Sequence, residues 1–162
     1  MKVVSNSTPL IALSRINKLE LLHLIFGTII IPTAVYNEVV LEGADRPGEK
    51  EVANASWIIK REVQNLLAVS ILKADLDRGE AEAVVLAKEL GADYLLVDEK
   101  KARRVARSSG MKIMGTVGIL GLVAKKGLIS NLDEIFNKLE QNGFRFAEEV
   151  RKKVKEESDT VG

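Results

Sequence analysis

The chain has no cysteine and a single histidine, His23. The first absence excludes disulfides, thiolate nucleophiles and cysteine-ligated zinc; the second excludes a metal cage built from several imidazoles. No apolar run is long enough for a bilayer. The greasiest stretch, residues 21–31, is broken by His23 and Gly27 and stopped by Pro32, well short of the roughly 20 residues a spanning helix needs. The opening Met1-Lys2-Val3-Val4-Ser5-Asn6 lacks the long h-region of a signal peptide, so a cytoplasmic protein without membrane contact is expected. A charge excess is missing too. With 24 basic and 23 acidic residues and a net charge of +1, any affinity for nucleic acid must come from local clustering. Neither a Gly-x-Gly-x-x-Gly turn nor a Walker A loop follows the first strand, where Ser5-Asn6-Ser7-Thr8 stands instead.

What is there is the material of one α/β domain. A length of 162 residues with 46% hydrophobic and 29% charged residues suits a single packed unit, taken as residues 1–157 with a flexible tail at 158–162. Short apolar stretches at 2–4, 28–31, 94–97 and 112–114 read as interior strands, with 57–59 as a further extended piece. Helical patterns lie between them, the clearest at 77–90 and 99–108. Pro9 is placed to open the first helix with Thr8 as its cap. Residues 44–72 are the least regular, apart from a short helix at 47–55. Strands alternating with helices imply a parallel sheet covered on both faces. Phe144, Phe146 and Val150 would pack the last helix onto the body or onto a second subunit.

Four acids or amides draw notice within this pattern. The apolar run Tyr94-Leu95-Leu96-Val97 stops at Asp98, and ligands of parallel sheets bind beyond the carboxyl ends of the strands. Asp98 also suits the cap of a helix beginning at Glu99. Glu38 has Ala34, Val35 and Leu41 as helical neighbours, which puts an acid beside an apolar face. A carboxylate buried there needs a cation or hydrogen-bond donors; one at the rim snorkels to water. Glu80 stands three residues after Asp77 in a capping-box pattern. Glu82 lies roughly 200° further round the helix, so only one of the two acids can face a given site. Lys100, Arg103, Arg104 and Arg107 form a basic stripe opposite Ala102, Val105 and Ala106. Such a stripe is either a solvated face or, beside an acidic metal pocket, a seat for a phosphate backbone.

In order and spacing these fragments resemble the PIN-domain nucleases, over residues 3–126. Val3-Val4-Ser5-Asn6-Ser7-Thr8-Pro9 looks like the family's opening strand and turn, and Ile31-Pro32-Thr33-Ala34-Val35-Tyr36-Asn37-Glu38 looks like its second motif. Gly79-Glu80-Ala81-Glu82-Ala83 resembles the third, Leu95-Leu96-Val97-Asp98 the fourth, and Gly115-Thr116 the hydroxyl-bearing turn that follows. The resemblance implies a three-layer α/β/α sandwich with a central, mainly parallel sheet. It also implies a site for Mg²⁺ or Mn²⁺ and cleavage of RNA, often by small toxins of toxin–antitoxin pairs. On this reading Glu38 and Asp98 are metal ligands, Glu80 is a ligand or water-orienting acid, and Asn6 is a neutral ligand. Lys100, Arg103, Arg104, Arg107 and Thr116 would contact the substrate. An antitoxin protein and a second copy of the chain are the implied protein partners. The chain departs from the family at Asn6, where an aspartate is usual; the amide keeps an oxygen ligand and loses a charge. The alternative reading is therefore a catalytically weak domain that binds RNA or a protein without cutting.

Overall fold

Strands that are apolar on both faces need helices on both sides, and the alternating chain supplies them. The computed structural model describes residues 1–159. Five strands, β1 (Val3–Ser5), β2 (Ile29–Pro32), β3 (Ile58–Arg61), β4 (Tyr94–Leu96) and β5 (Ile113–Met114), form one sheet in the order β3-β2-β1-β4-β5. Every pairing is parallel. The helices are α1 (Ser7–Arg15), α2 (Glu20–Phe26), α3 (Thr33–Tyr36), α4 (Glu49–Asn54), α5 (Leu66–Leu72), α6 (Arg78–Leu90), α7 (Lys100–Ser108), α8 (Thr116–Lys125), α9 (Leu132–Gln141) and α10 (Glu148–Asp159). The expected α/β/α sandwich is present, and its sheet is wholly parallel. The loose tail expected from residue 158 begins inside α10, and residues 160–162 lie outside the described part.

Side chains along a strand alternate between the faces, and this divides the core in two. Val3, Ile29, Ile31 and Leu96 pack into one cluster with residues of α1, α2, α3, α8 and α9. Val4, Leu95 and Val97 pack into the other with α6 and α7. The C-terminal segment closes over the first layer. Phe146 meets Phe136 edge-on at 5.1 Å, and Arg151 lies over Phe136 while pairing with Asp133 and Glu140.

Three local expectations are corrected. α1 begins at Ser7 with Asn6 at its N-cap, so Pro9 is the third helical residue; it loses nothing there, because the first four helical N–H groups have no intrahelical partner. Glu99, not Asp98, occupies the N-cap of α7. The irregular stretch contains α5, whose Leu66, Leu67 and Ile71 are exposed while Val69 is buried. Its apolar residues therefore form no single stripe, and the helical period is hidden although Asn65 caps it through Ala68 N at 3.0 Å.

Candidate active site

The strand order reverses at β1, with β2 and β3 on one side and β4 and β5 on the other. This makes the crevice beyond β1 and β4 the switch point where ligands of such sheets bind. Register then decides which way each side chain points. Ser5 pairs with Leu96. Continuing the alternation, Asn6 turns with Val4 toward α6, and Asp98 turns with Leu96 toward α8.

On the α6 side Asn6 is 3% exposed. Although it stands at the N-cap of α1, its side chain does not cap, and its Oδ1 is buried without a hydrogen-bond partner. Gly79, in the first turn of α6, lets three oxygens gather here. A Cβ on Gly79 would lie 3.1 Å from Glu38 Oε2 and 3.6 Å from both Asn6 Oδ1 and Asp77 Oδ1. Glu38 arrives on a π-helical turn, Asn37–Leu41, which continues α3 and is closed by Glu42 N donating to Asn37 O at 2.7 Å. Such wide turns recur at functional sites. The extra residue also corrects the face expected for Glu38: Leu41 swings out to 66% exposure, and Val35 and Val39 are the buried residues. Glu38 itself is exposed. Burial pushes its pKa up against the hydrogen bond from Ser7, and the charges of Asp77 and Glu42 push it further.

Glu80 and Glu82 lie on the same helix and do different things. Asp77 and Glu80 form the expected capping box, with Glu80 N donating to Asp77 Oδ1 at 2.8 Å and Asp77 N to Glu80 Oε1 at 3.0 Å. Burial raises the pKa of Glu80, and the charges of Asp77 and Glu99 add to the rise although the Asp77 amide opposes it. Glu82 instead accepts from Ala34 N at 3.1 Å and pairs with Arg78 at 3.1 Å. It ties α3 to α6 and takes up Arg78. Thr33, Asn37, Glu38, Asp77, Gly79 and Glu82 are among the residues lining an open cleft of about 470 Å³.

On the α8 side Asp98 accepts from Thr116 N at 2.8 Å and from Thr116 Oγ1 at 2.6 Å. Gly115 allows this approach, since a Cβ there would sit 2.8 Å from Asp98 Oδ1 and 3.4 Å from Arg103 Nη1. The basic stripe therefore splits: Lys100, Arg104 and Arg107 are exposed, while Arg103 is half-buried with its Nε unpartnered. His23 is exposed and stacked on Trp57, far from this chemistry in character.

The structure thus brings Asn6 and Glu38 together, sets Asp98 with Thr116 and Arg103, and leaves Glu80 on the cap between them. The sequence pattern marks Asp77 only as a helix cap. Its place beside Asn6 depends on how α6 packs against β1, and the small residue two positions later is the one local sign of that approach. Among the described residues no three acidic or histidine side chains converge closely enough to hold an ion. The convergence at Gly79 is two carboxylates and an amide oxygen, a donor set of the kind hard divalent cations take. A cation would also satisfy the orphaned Asn6 Oδ1 and offset the repulsion between Glu38 and Asp77, so the residues present fit such an ion.

The PIN-domain family model matches residues 2–160. The chain belongs to the PIN-domain family. No curated protein matches it. PIN domains are generally nucleases, commonly bind RNA and generally use divalent metals. Among the described residues no helix is long and apolar enough to cross a membrane.

Proposed function

We propose that this protein is a divalent-metal-dependent ribonuclease that hydrolyses phosphodiester bonds in the crevice beyond β1 and β4. The observation that carries the reading is Asn6 Oδ1, buried without a partner and facing the Glu38 carboxylate across Gly79. Leaving such an oxygen unsatisfied is costly, and a bound cation removes the cost.

Glu38 and Asp98 would hold Mg²⁺ or Mn²⁺ with Asn6 as a neutral ligand. The ion supplies a nucleophile at neutral pH by lowering the pKa of water, and it offsets phosphate charge. The chain does the rest. Thr116 fixes the orientation of Asp98 through two hydrogen bonds. Glu80 accepts from the Asp77 amide and would orient water with its carboxylate. Lys100, Arg104 and Arg107 present charge to the RNA backbone from the exposed face of α7, and Arg103 reaches the phosphate nearest Asp98. A toxin's role, with an antitoxin protein and a homodimer, belongs to the same proposal and rests on the family resemblance alone.

Purified protein mixed with an RNA pool in Mg²⁺, Mn²⁺ or EDTA tests the reading, with Asp98→Asn and Asn6→Asp alongside. Metal-dependent cleavage that Asp98→Asn abolishes and Asn6→Asp increases is the expected result. RNA retained without cleavage would favour a binding module, the reading that the missing charge at Asn6 supports. Cleavage that ignores EDTA would overturn the proposal.

A further inference from the structure

Capping accounts for an oxygen at residue 77 but not for a charge. The N-cap of a helix needs a side-chain acceptor for a backbone N–H, and asparagine serves about as well as aspartate. Asp77 provides that acceptor to Glu80 N at 2.8 Å. Its carboxylate nonetheless stands beside a second carboxylate, Glu38, and the buried oxygen of Asn6, all three meeting at the bare Cα of Gly79. The adjacent cation does not neutralise it, because Arg78 pairs with Glu82. The dipole of α6 favours an anion at its start, yet it does nothing to bring Glu38 and Asn6 to the same point.

We propose that Asp77 supplies the carboxylate that Asn6 lacks, so that the metal site keeps its charge by moving it from the end of β1 to the start of α6. The inference rests on the reading of this crevice as a metal site. A separate observation points to a ligand there: Asn6 Oδ1 is aimed at the cluster, and its residue is 3% exposed with that atom unpartnered. Divalent affinity in oxygen sites is tuned by the number of charged ligands. The capping box then does two things at once. Asp77 N donates to Glu80 Oε1 at 3.0 Å, which holds residue 77 in place, and the side chain of Asp77 is thereby set before an ion arrives. Glu80 is in this respect a positioning residue for Asp77.

The charge swap tests this directly, using Mn²⁺ binding to the purified full chain followed by electron paramagnetic resonance and thermal unfolding in EDTA. Asp77→Asn preserves the cap, and Asp77→Ser is a second variant that caps without a carboxylate. Both should lose Mn²⁺ affinity by about tenfold or more with little change in the metal-free unfolding midpoint. Adding Asn6→Asp to Asp77→Asn should restore binding. Wild-type affinity in Asp77→Asn, no recovery in the double variant, or no Mn²⁺ binding by the wild type would each overturn the inference. RNA cleavage in the same samples separates it from the ribonuclease reading. Asp77-dependent Mn²⁺ binding without cleavage upholds the relocated charge and removes the enzyme; metal-dependent cleavage indifferent to Asp77 does the reverse.

Discussion

At Gly79 the crevice gathers Glu38, Asp77 and the unpartnered oxygen of Asn6, and burial together with neighbouring negative charge raises the pKa of Glu38. At Gly115, on the other side of the same strand ends, Asp98 takes two hydrogen bonds from Thr116 and lies near the guanidinium of Arg103. Both glycines bring a carboxylate close, but Asp98 has two donors from Thr116, whereas Asn6 Oδ1 has no partner. The difference comes from strand alternation, which sends Asn6 and Asp98 to opposite faces. A carboxylate that has its donors stays in place without a ligand, whereas acids brought together without a cation are costly until one binds. On the proposed reading the Gly79 half is the one an ion would complete, and Asp98 in the Gly115 half is a preset ligand facing it.

The largest expected effect is on the proposed cleavage, which would draw on both halves. Glu38→Gln or Asp98→Asn should each lower the metal-dependent cleavage rate by about a hundredfold or more. If only the Asp98 variant were impaired, the Gly79 half would have no catalytic part.

The two glycines themselves sharpen the contrast. Gly115→Ala places a methyl 2.8 Å from Asp98 Oδ1 and should destabilise the fold by about 1–3 kcal/mol, as overpacking does. Gly79→Ala meets the mobile end of Glu38 at 3.1 Å, so it should be near neutral or stabilising by up to about 1 kcal/mol while weakening Mn²⁺ binding. Denaturant unfolding and a Mn²⁺ titration on both variants check the pair; equal destabilisation would erase the distinction.

Stability against pH separates the halves more gently. Glu38 and Glu80 both have pKa values raised above 4.5, chiefly by burial. Between that value and the raised one the folded protein binds more protons than the unfolded chain, so metal-free stability should fall as pH rises through the window. Mn²⁺ competes with those protons and should stabilise more at high pH than at low pH. Thermal midpoints in EDTA and in Mn²⁺ across this range measure both slopes, and parallel curves would contradict the assignment. The smallest effect concerns the exposed cations of α7. Removing Arg104 and Arg107 as Ala should weaken RNA binding several-fold and flatten its salt dependence by a slope of about one to two, with unchanged metal affinity.

Much of this was legible in the chain. The parallel sheet followed from β-branched strands such as Ile29-Ile30-Ile31, and the capping box of α6 from Asp77 and Glu80. Glu38 was visible as an acid beside apolar neighbours, but its actual face depends on a π-helical turn that a regular helical period does not encode. Asp98 read equally as a cap and as a site residue; the structure gives the cap to Glu99, and the packing of α8 onto the sheet delivers Thr116 to Asp98. Asp77 and Gly79 stayed hidden as neighbours of Asn6 because capping explains one and helix composition absorbs the other. Their meeting with Asn6 spans more than seventy residues of chain and is a tertiary fact.

The central claim is that an ion sits on the Gly79 side of the crevice, against Asn6. Anomalous diffraction from crystals soaked in Mn²⁺ locates it directly. An ion bound there gives a strong peak within coordination distance of Asn6 Oδ1 together with the Glu38 or Asp77 carboxylate. A peak held by Asp98 alone, or none at a concentration that supports cleavage, would contradict it.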